Sequence, residues 1–248
     1  MSDTTSTAQR VAIVTGASGG IGRASALRLA ADGFAVVVHY GGNVDRATSV
    51  VEEITNAGGH ATAFAGDVGD EADMIALFEY AESTFGGVDV VVNTAGIMPL
   101  STVAETELEV FDRVQRVNLR GTFIIDQQAA RRVRSGGAII NFSTSVTRMQ
   151  QPRYGAYAAS KGAVEALTLI LARELRGRDV TVNTVAPGPT ATPLFLDGKS
   201  QELVDQIASL APLERLGTPE DIAETVAFLA GPARWVNGQV LYTNGGIA

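Results

Sequence analysis

Seven short apolar runs, separated by helical patterns and turns, constrain the fold of this chain more than any other feature. Most of the runs are continuously apolar, as expected for parallel strands that are covered on both faces. The runs are Val11–Thr15, Ala35–His39, Ala61–Ala65, Val88–Val92, Ala138–Phe142, Val180–Val185 and Gln239–Tyr242. The amphipathic stretches between them are Ile21–Ala31, Val44–Asn56, Glu71–Phe85, Glu105–Val133, Tyr154–Arg176 and Pro219–Leu229. This alternation predicts an α/β fold, a doubly wound seven-stranded parallel sheet with helices on both faces.

Neither a linker nor a repeat divides the 248 residues, so we expect one domain over residues 10–248. Residues 1–9 are polar and rich in Ser and Thr, which predicts a disordered tail. The segment from Pro187 to about Ser200 lacks periodicity, and we predict a substrate loop over about 189–216. Its apolar residues Leu194, Phe195 and Leu196 are candidates for the pocket, the core or a subunit contact.

Composition excludes several classes of protein. A formal net charge of −8 argues against nucleic-acid binding, which needs clustered positive charge. The lack of cysteine excludes disulfides, thiolate catalysis and zinc–sulfur sites, and we predict no bound metal. Neither a bilayer-spanning apolar run nor a signal-peptide pattern is visible, so we expect no membrane association and a cytoplasmic location.

A glycine-rich turn follows the first predicted strand, in the segment Gly16-Ala17-Ser18-Gly19-Gly20-Ile21-Gly22. Glycines at a strand-to-helix junction let backbone N–H groups approach a pyrophosphate. The segment also matches the G-x-S-x-G elbow of hydrolases, but that elbow needs a histidine base late in the chain, and the only histidines are His39 and His60. A Walker-type loop needs Lys and then Ser or Thr after its last glycine, where this chain has Arg23 and Ala24. The turn therefore predicts a dinucleotide site.

Tyr157 and Lys161 lie four residues apart in a predicted helix, which places the phenol and the ammonium on one helical face. A free tyrosine titrates near ~10 and is a poor acid or base at neutral pH unless its phenolate is stabilised. A neighbouring ammonium provides such stabilisation, so the pair predicts acid–base chemistry.

Five ordered motifs resemble the short-chain dehydrogenase/reductase family over essentially the whole chain after the tail. They are Thr15-Gly16-x-x-x-Gly20-x-Gly22, Asn93-Thr94-Ala95-Gly96, Val117-Asn118-Leu119, Tyr157-x-x-x-Lys161 and Pro187-Gly188. The resemblance implies a Rossmann-type domain and an NAD(P)(H)-dependent oxidoreductase that interconverts a ketone and a secondary alcohol. The chain also looks like β-ketoacyl carrier-protein reductases and polyhydroxynaphthalene reductases within the family.

The resemblance implies a role for each matching residue. Tyr157 would be the general acid/base, Lys161 would bind the nicotinamide ribose and lower the tyrosine pKa, and Asn118 would hold a water of the proton relay. The family's catalytic serine, about thirteen residues before the tyrosine, falls on Thr144, with Ser143 or Ser145 as alternatives. The implied cofactor contacts are Gly16, Ser18, Gly20, Ile21, Gly22, His39, Tyr40, Asp67, Val68, Asn93, Ala95, Gly96, Tyr157, Lys161, Pro187, Gly188, Thr190 and Thr192.

The end of the second strand bears on the choice of cofactor. An acidic residue there would repel a 2′-phosphate, but this chain has His39-Tyr40-Gly41-Gly42-Asn43, so NADP(H) is favoured over NAD(H), with Arg23 and Arg46 as phosphate candidates. His39 is equally consistent with a satisfied strand-end histidine.

The segment Trp235–Val240 resembles a family subunit interface and implies a homotetramer. The alternative to an enzyme is a non-catalytic dinucleotide-binding sensor or scaffold.

Overall fold

A computed structural model describes residues 9–248, in which seven strands form one parallel sheet. The strands are β1 (Val11–Thr15), β2 (Ala35–Tyr40), β3 (His60–Ala65), β4 (Val88–Asn93), β5 (Val133–Phe142), β6 (Thr181–Pro187) and β7 (Val240–Thr243). Their order across the sheet is β3-β2-β1-β4-β5-β6-β7. The predicted α/β fold is confirmed. The prediction of disorder over residues 1–9 lies, apart from Gln9, outside the described residues.

Helices connect the strands within this described range. They are α1 (Gly20–Ala31), α2 (Val44–Asn56), α3 (Glu71–Phe85), α4 (Leu108–Val114), α5 (Gly121–Arg132), α6 (Val146–Met149), α7 (Gly155–Glu174), α8 (Pro193–Leu196), α9 (Gln201–Ser209) and α10 (Pro219–Ala230), with a π-helical segment at Gln115–Arg120 between α4 and α5. None of the helices between residues 9 and 248 combines the length and the hydropathy needed to cross a bilayer.

Both faces of the sheet are buried by helices. On β1, Ala12 and Val14 pack into a core formed with α1, α2 and α10, whereas Ile13 points into a second core formed with α3, α5 and α7. Successive side chains of a strand point to opposite faces, so a strand between two helical layers needs apolar residues at every position. The continuous apolar runs of the sequence follow from this arrangement.

Side-chain caps fix the first residue of several helices. Asn43 accepts a hydrogen bond from the backbone of Arg46, and Asp70 accepts from the first turn of α3. Thr218 and Asp221 form a reciprocal capping box at the start of α10. Such a cap contributes about 1 kcal/mol and terminates the preceding loop at a defined residue.

Two stretches differ from the prediction. The single helix expected over Glu105–Val133 begins only at Leu108, and the π-helical segment interrupts it around the buried Asn118. Its last residue, Val133, already belongs to β5. The segment 189–216, predicted as a loop, contains the short helices α8 and α9, capped by Thr192 and Ser200. Neither helix buries a residue fully, and α8 has only four residues, too few to show a period.

The chain passes from β3, at one edge of the sheet, back to β4 beside β1. The connections on the two sides of this point run in opposite directions and leave a crevice at the carboxyl ends of β1 and β4. Ligands bind at such a crevice in open α/β sheets, and the predicted site residues follow these strand ends.

Candidate active site

A cavity of about 130 Å³ opens at the carboxyl ends of the central strands. Helix α7 forms one wall, the segment after β6 forms another, and the start of α1 reaches its floor. It brings together ten residues that the sequence predicted for catalysis or cofactor binding: Ile21, Gly96, Thr144, Ser145, Tyr157, Lys161, Pro187, Gly188, Thr190 and Thr192.

Tyr157 projects from the first turn of α7 and is 8% exposed. Burial raises the pKa of its phenol to about 12, and the polar contact with the Thr144 hydroxyl opposes part of that rise. The sequence led us to expect that Lys161 lowers this pKa. In the structure burial is the dominant influence and acts in the opposite direction, so the phenol is protonated at neutral pH.

Lys161 lies one turn further along α7, with its Nζ 6.0 Å from the centroid of the Tyr157 ring. The ammonium donates a hydrogen bond of 2.8 Å to the carbonyl oxygen of Phe142 at the end of β5. Burial lowers the pKa of Lys161 to about 8. Most molecules therefore still carry this charge at pH 7.

Three neighbouring hydroxyls were candidates for the second hydrogen-bond donor, and they point in different directions. Ser143 Oγ donates to Glu165 Oε1 at 2.6 Å, and Ser145 Oγ lies 3.5 Å from the carbonyl oxygen of Ala186. Thr144 Oγ1 accepts from the backbone of Val146 at 3.3 Å and lines the same cavity as the Tyr157 phenol, and it is the only one of the three hydroxyls that lowers the pKa of that phenol. Thr144 is therefore favoured among the three.

Asn118 is fully buried inside the π-helical segment. Its Oδ1 accepts from the backbone of Ile97 at 2.9 Å, and its Nδ2 donates to the carbonyl oxygen of Ile97 at 2.9 Å and to Ser160 Oγ at 3.1 Å. The side chain thereby ties the segment after β4 to α7. Single π-turns inside helices are frequent at functional sites.

The glycine turn has the shape that a pyrophosphate requires. Gly16 and Gly20 adopt φ values of +65° and +51°, which side chains rarely tolerate. A Cβ on Gly22 would lie 2.4 Å from the carbonyl oxygen of Gly16. Gly19 precedes α1 and offers no side-chain cap, so no side-chain acceptor competes with an anion for the first backbone N–H groups of α1, beside Ser18. The residues present therefore fit a dinucleotide phosphate.

The residues predicted to contact the adenosine part of the cofactor lie at the ends of β2 and β3 and differ in exposure. Although partial burial raises the pKa of Asp67, its hydrogen bond with Arg116 at 2.7 Å and that with the backbone of Gly69 hold the pKa below its usual range. Val68 is buried beneath this turn, and Tyr40 is half-buried at the end of β2.

His39 does not lie at the surface of the predicted site. Its ring is 1% exposed, and Nε2 lies 3.1 Å from the carbonyl oxygen of Gly66. Burial lowers its pKa to about 4, so the imidazole is neutral at pH 7 and cannot pair with a phosphate. The structure supports the alternative interpretation of a buried strand-end histidine, although only Nε2 is satisfied and Nδ1 has no hydrogen-bond partner among residues 9–248. Of the arginines suggested for the phosphate, Arg23 forms an ion pair with Glu53, and Arg46 is exposed at the start of α2.

Asn93 also acts inside the fold rather than in the cavity. Its Oδ1 accepts from Thr15 Oγ1 at 2.9 Å, and its Nδ2 donates to Thr122 Oγ1 at 2.9 Å. The backbone of Ala95 approaches Gly16 closely, and a Cβ on Gly96 would lie 3.6 Å from Lys161 Nζ. These residues set the distance between the glycine turn and the cavity.

Sequence reasoning missed several residues that line the cavity. They include Met98, Met149, Gln151, Tyr154 and Ile207, and they join the predicted Leu194 and Phe195. Most lie in irregular segments or the short helices α6 and α8, so neither a motif nor a period marked them. Within the part of the chain that the structure describes, no carboxylate lines this cavity, and Lys161 is the only charged residue in it.

Comparison with known proteins agrees with this arrangement. A family model described as "Enoyl-(Acyl carrier protein) reductase" matches residues 16–248. A "Short-chain type dehydrogenase/reductase" of Picea abies is 48% identical over 96% of this chain and 92% of its own length. An "NADPH-dependent aldehyde reductase-like protein, chloroplastic" of Arabidopsis thaliana is 44% identical, covering 96% of this chain and 94% of the relative.

A solved structure extends the likeness to three dimensions. The angucycline C-6 ketoreductase LanV with bound NADP superposes with a TM-score of 0.91 at 37% identity, over 96% of this chain and 95% of that one. The expected resemblance to ketone-reducing members is confirmed. This chain belongs to the short-chain dehydrogenase/reductase family, the oxidoreductases that interconvert ketones and alcohols with a nicotinamide dinucleotide.

Proposed function

We propose that this protein reduces neutral, apolar ketones with NADPH, with Tyr157 as the proton donor. The observation that carries the proposal is the buried Tyr157 phenol, which shares an apolar cavity next to the glycine turn with the Thr144 hydroxyl and Lys161. A phenol with a pKa of about 12 retains its proton at neutral pH, as a donor to a carbonyl requires.

The chain's own residues would act as follows. Tyr157 and Thr144 donate hydrogen bonds to the substrate carbonyl oxygen and stabilise the negative charge that develops on it. The Tyr157 proton then passes to that oxygen. The charge of Lys161 stabilises the resulting phenolate, and Asn118 would hold a water that returns a proton.

NADPH, when bound, would supply the hydride. The residues that would hold it are the glycine turn with Ser18, the half-buried Tyr40, the exposed Asp67, and the cavity residues Gly96, Lys161, Pro187, Gly188, Thr190 and Thr192. The preference for NADPH over NADH is supported by the lack of an acidic residue in the segment from Tyr40 to Asn43, and by the NADP in LanV. Arg46, exposed at the start of α2, is the candidate partner for the 2′-phosphate, because Arg23 is already paired.

The lining of the cavity indicates the substrate class. Apolar side chains dominate it, and Gln151 and Tyr154 add uncharged polar groups. A substrate carboxylate would find Lys161 as its only cation, and that group already donates to a backbone carbonyl. Transferring an unpaired carboxylate into such a site is costly, so the site favours a neutral carbonyl compound.

Steady-state oxidation of NADPH with a matched pair of substrates tests this function. Phenylacetone and phenylpyruvate differ by a methyl group in place of a carboxylate. We expect kcat/KM for the neutral ketone to be about 100-fold higher, and about tenfold higher with NADPH than with NADH. Equal use of both substrates would contradict the substrate class. NADPH binding without turnover of any carbonyl would contradict the enzyme and favour the sensor or scaffold.

We also propose a homotetramer. An apolar groove of about 880 Å³ runs between the π-helical segment, α5 and α7, and Phe123 and Ile170 in it are each 53% exposed. Exposed apolar side chains that share one face are typical of subunit contacts, and a two-fold axis would place the same face of a second copy against it. The fully exposed Trp235 is the candidate for the second contact.

Sedimentation velocity of Phe123→Asp tests the assembly. We expect this variant to be smaller than the wild-type particle, whereas Val44→Asp, at an equally exposed site on α2, should leave the size unchanged. A wild-type monomer would contradict the proposal.

The cytoplasmic location stays a prediction that cell fractionation can test.

A further inference from the structure

Glu165 on α7 collects hydroxyl donors from the segment that carries Thr144. Its Oε1 accepts from Ser143 Oγ at 2.6 Å and from Thr147 Oγ1 at 2.8 Å. The hydroxyl of Tyr242, on β7, lies 3.5 Å from the same oxygen. No basic group lies within ion-pair distance of Glu165 among residues 9–248, so hydroxyls are its partners.

The two close donors lie on either side of Thr144 in the sequence. Thr147 Oγ1 also lies 2.9 Å from the carbonyl oxygen of Thr144, so its single hydrogen is shared between that oxygen and Glu165 Oε1. Hydrogen bonds of 2.8 Å from the backbones of Ser143 and Ser145 to β6 hold the same segment to the sheet. The carboxylate of Glu165 also holds this segment to α7, through the hydroxyls of Ser143 and Thr147.

Glu165 follows Lys161 by four residues and Tyr157 by eight, so the three side chains lie along one stripe of a single helix. The helix that carries the proton donor therefore also grips the segment that carries the second hydrogen-bond donor. A displacement of about 1 Å between such groups lowers catalytic rates by up to about 100-fold.

We propose that Glu165 is a positioning residue that fixes the Thr144 hydroxyl relative to the Tyr157 phenol. This inference rests on the proposed function, in which both hydroxyls act on the substrate carbonyl. A carboxylate suits the position because it only accepts hydrogen bonds and can take two hydroxyl donors at one oxygen. Removing it leaves the hydroxyls of Ser143 and Thr147 free to turn to other partners and releases the segment from α7.

A double-mutant cycle in ketone reduction tests the proposal. We expect Thr144→Val to lower kcat about 100-fold, as the loss of one donor to a developing oxyanion does, and Glu165→Ala to lower it about tenfold. The double variant should be no slower than Thr144→Val alone, because Glu165 acts through Thr144. Glu165→Gln keeps an accepting oxygen and should stay within about threefold of wild type.

Two further measurements separate positioning from a general structural role. The Kd for NADPH should change less than about twofold in Glu165→Ala, and Glu174→Ala, at an exposed glutamate of the same helix, should behave as wild type. If Glu165→Ala does not fold, Ser143→Ala and Thr147→Val each remove one of the two donors, and their effects on kcat should likewise vanish in the Thr144→Val background.

Multiplicative effects of Glu165→Ala and Thr144→Val would overturn the proposal, as would a Thr144→Val enzyme with wild-type kcat. A different result would contradict the proposed function itself: reduction of ketones by Tyr157→Phe at the wild-type rate. If Tyr157→Phe is inactive and the effects of Glu165→Ala and Thr144→Val are multiplicative, the proposed function stands and only the role of Glu165 is refuted.

Discussion

Asp126 on α5 carries a carboxyl group that should make stability depend on pH across the neutral range. The residue is 5% exposed, and both of its oxygens accept from Asn141 Nδ2, at 3.1 and 2.9 Å. Burial raises its pKa from 3.8 to about 7, and the hydrogen bond from Asn141 opposes only part of that rise.

The sign of the effect follows from linkage. Between these two pKa values the folded protein holds a proton that the unfolded chain releases, so the free energy of unfolding falls as the pH rises. The favourable contribution is complete below about pH 3.8 and is lost as the pH rises through about 7. Each pKa unit corresponds to about 1.4 kcal/mol, so between pH 5 and pH 8 the wild-type protein should lose roughly 2.5 kcal/mol from this group.

Asp126→Asn removes the titration and keeps an oxygen for Asn141. We expect the free energy of unfolding of this variant, relative to wild type, to rise by roughly 2.5 kcal/mol between pH 5 and pH 8. Urea unfolding at both pH values and one protein concentration gives this difference, in which other titrating groups cancel. The exposed Asp45→Asn should change it by less than about 0.5 kcal/mol.

A difference between Asp126→Asn and wild type that stays constant from pH 5 to pH 8 would refute the reasoning. A difference that falls with pH would do so as well, because it would mean that the folded protein favours the ionised carboxylate.

Three further predictions follow from single residues. Burial lowers the pKa of His39, so its contribution to the free energy of unfolding is fully present above about pH 6.5 and is lost as the pH falls through about 4. In urea unfolding, wild type should lose about 2.5 kcal/mol of stability relative to His39→Asn between pH 7 and pH 4.5. The same dependence of stability on pH in both proteins would contradict this. Gly22→Ala places a Cβ against the carbonyl oxygen of Gly16 and should weaken NADPH binding at least about tenfold in a fluorescence titration. The control Gly162→Ala, with open space around the new Cβ, should bind NADPH as wild type does. Normal binding by Gly22→Ala would count against the pyrophosphate site. Because the pKa of Lys161 is about 8, kcat/KM for NADPH should fall about tenfold per pH unit above pH 8. The residual activity of Lys161→Arg should not show this decline. A wild-type kcat/KM that stays constant up to pH 9.5 would argue against the role of the ammonium.

The sequence predicted the elements of this fold well where local signals and burial agree. Helices α2 and α3 have the predicted bounds, and Asn43 and Asp70 cap them. The apolar runs coincide with strands because helices cover both faces of the sheet. The prediction was wrong around Asn118, because an inserted π-turn changes which side chains face inward without changing the composition of the helix.

Within the site, spacing along one helix was enough to pair Tyr157 with Lys161, and the same spacing continues to Glu165. The choice among neighbouring hydroxyls was not available from sequence, because it depends on side-chain directions at the end of β5. For His39 a signal did exist, since strand alternation puts it on the same buried face as Val37. The pairing of Asp126 with Asn141 joins a helix to a strand, and one sequence carries no record of such a contact.

Comparing turnover and cofactor binding in Tyr157→Phe tests the central claim, that this phenol delivers the proton to the substrate. The account predicts that kcat for ketone reduction falls at least about 1,000-fold while the Kd for NADPH stays within about threefold of wild type. Near-normal reduction of the same ketone by Tyr157→Phe would contradict it.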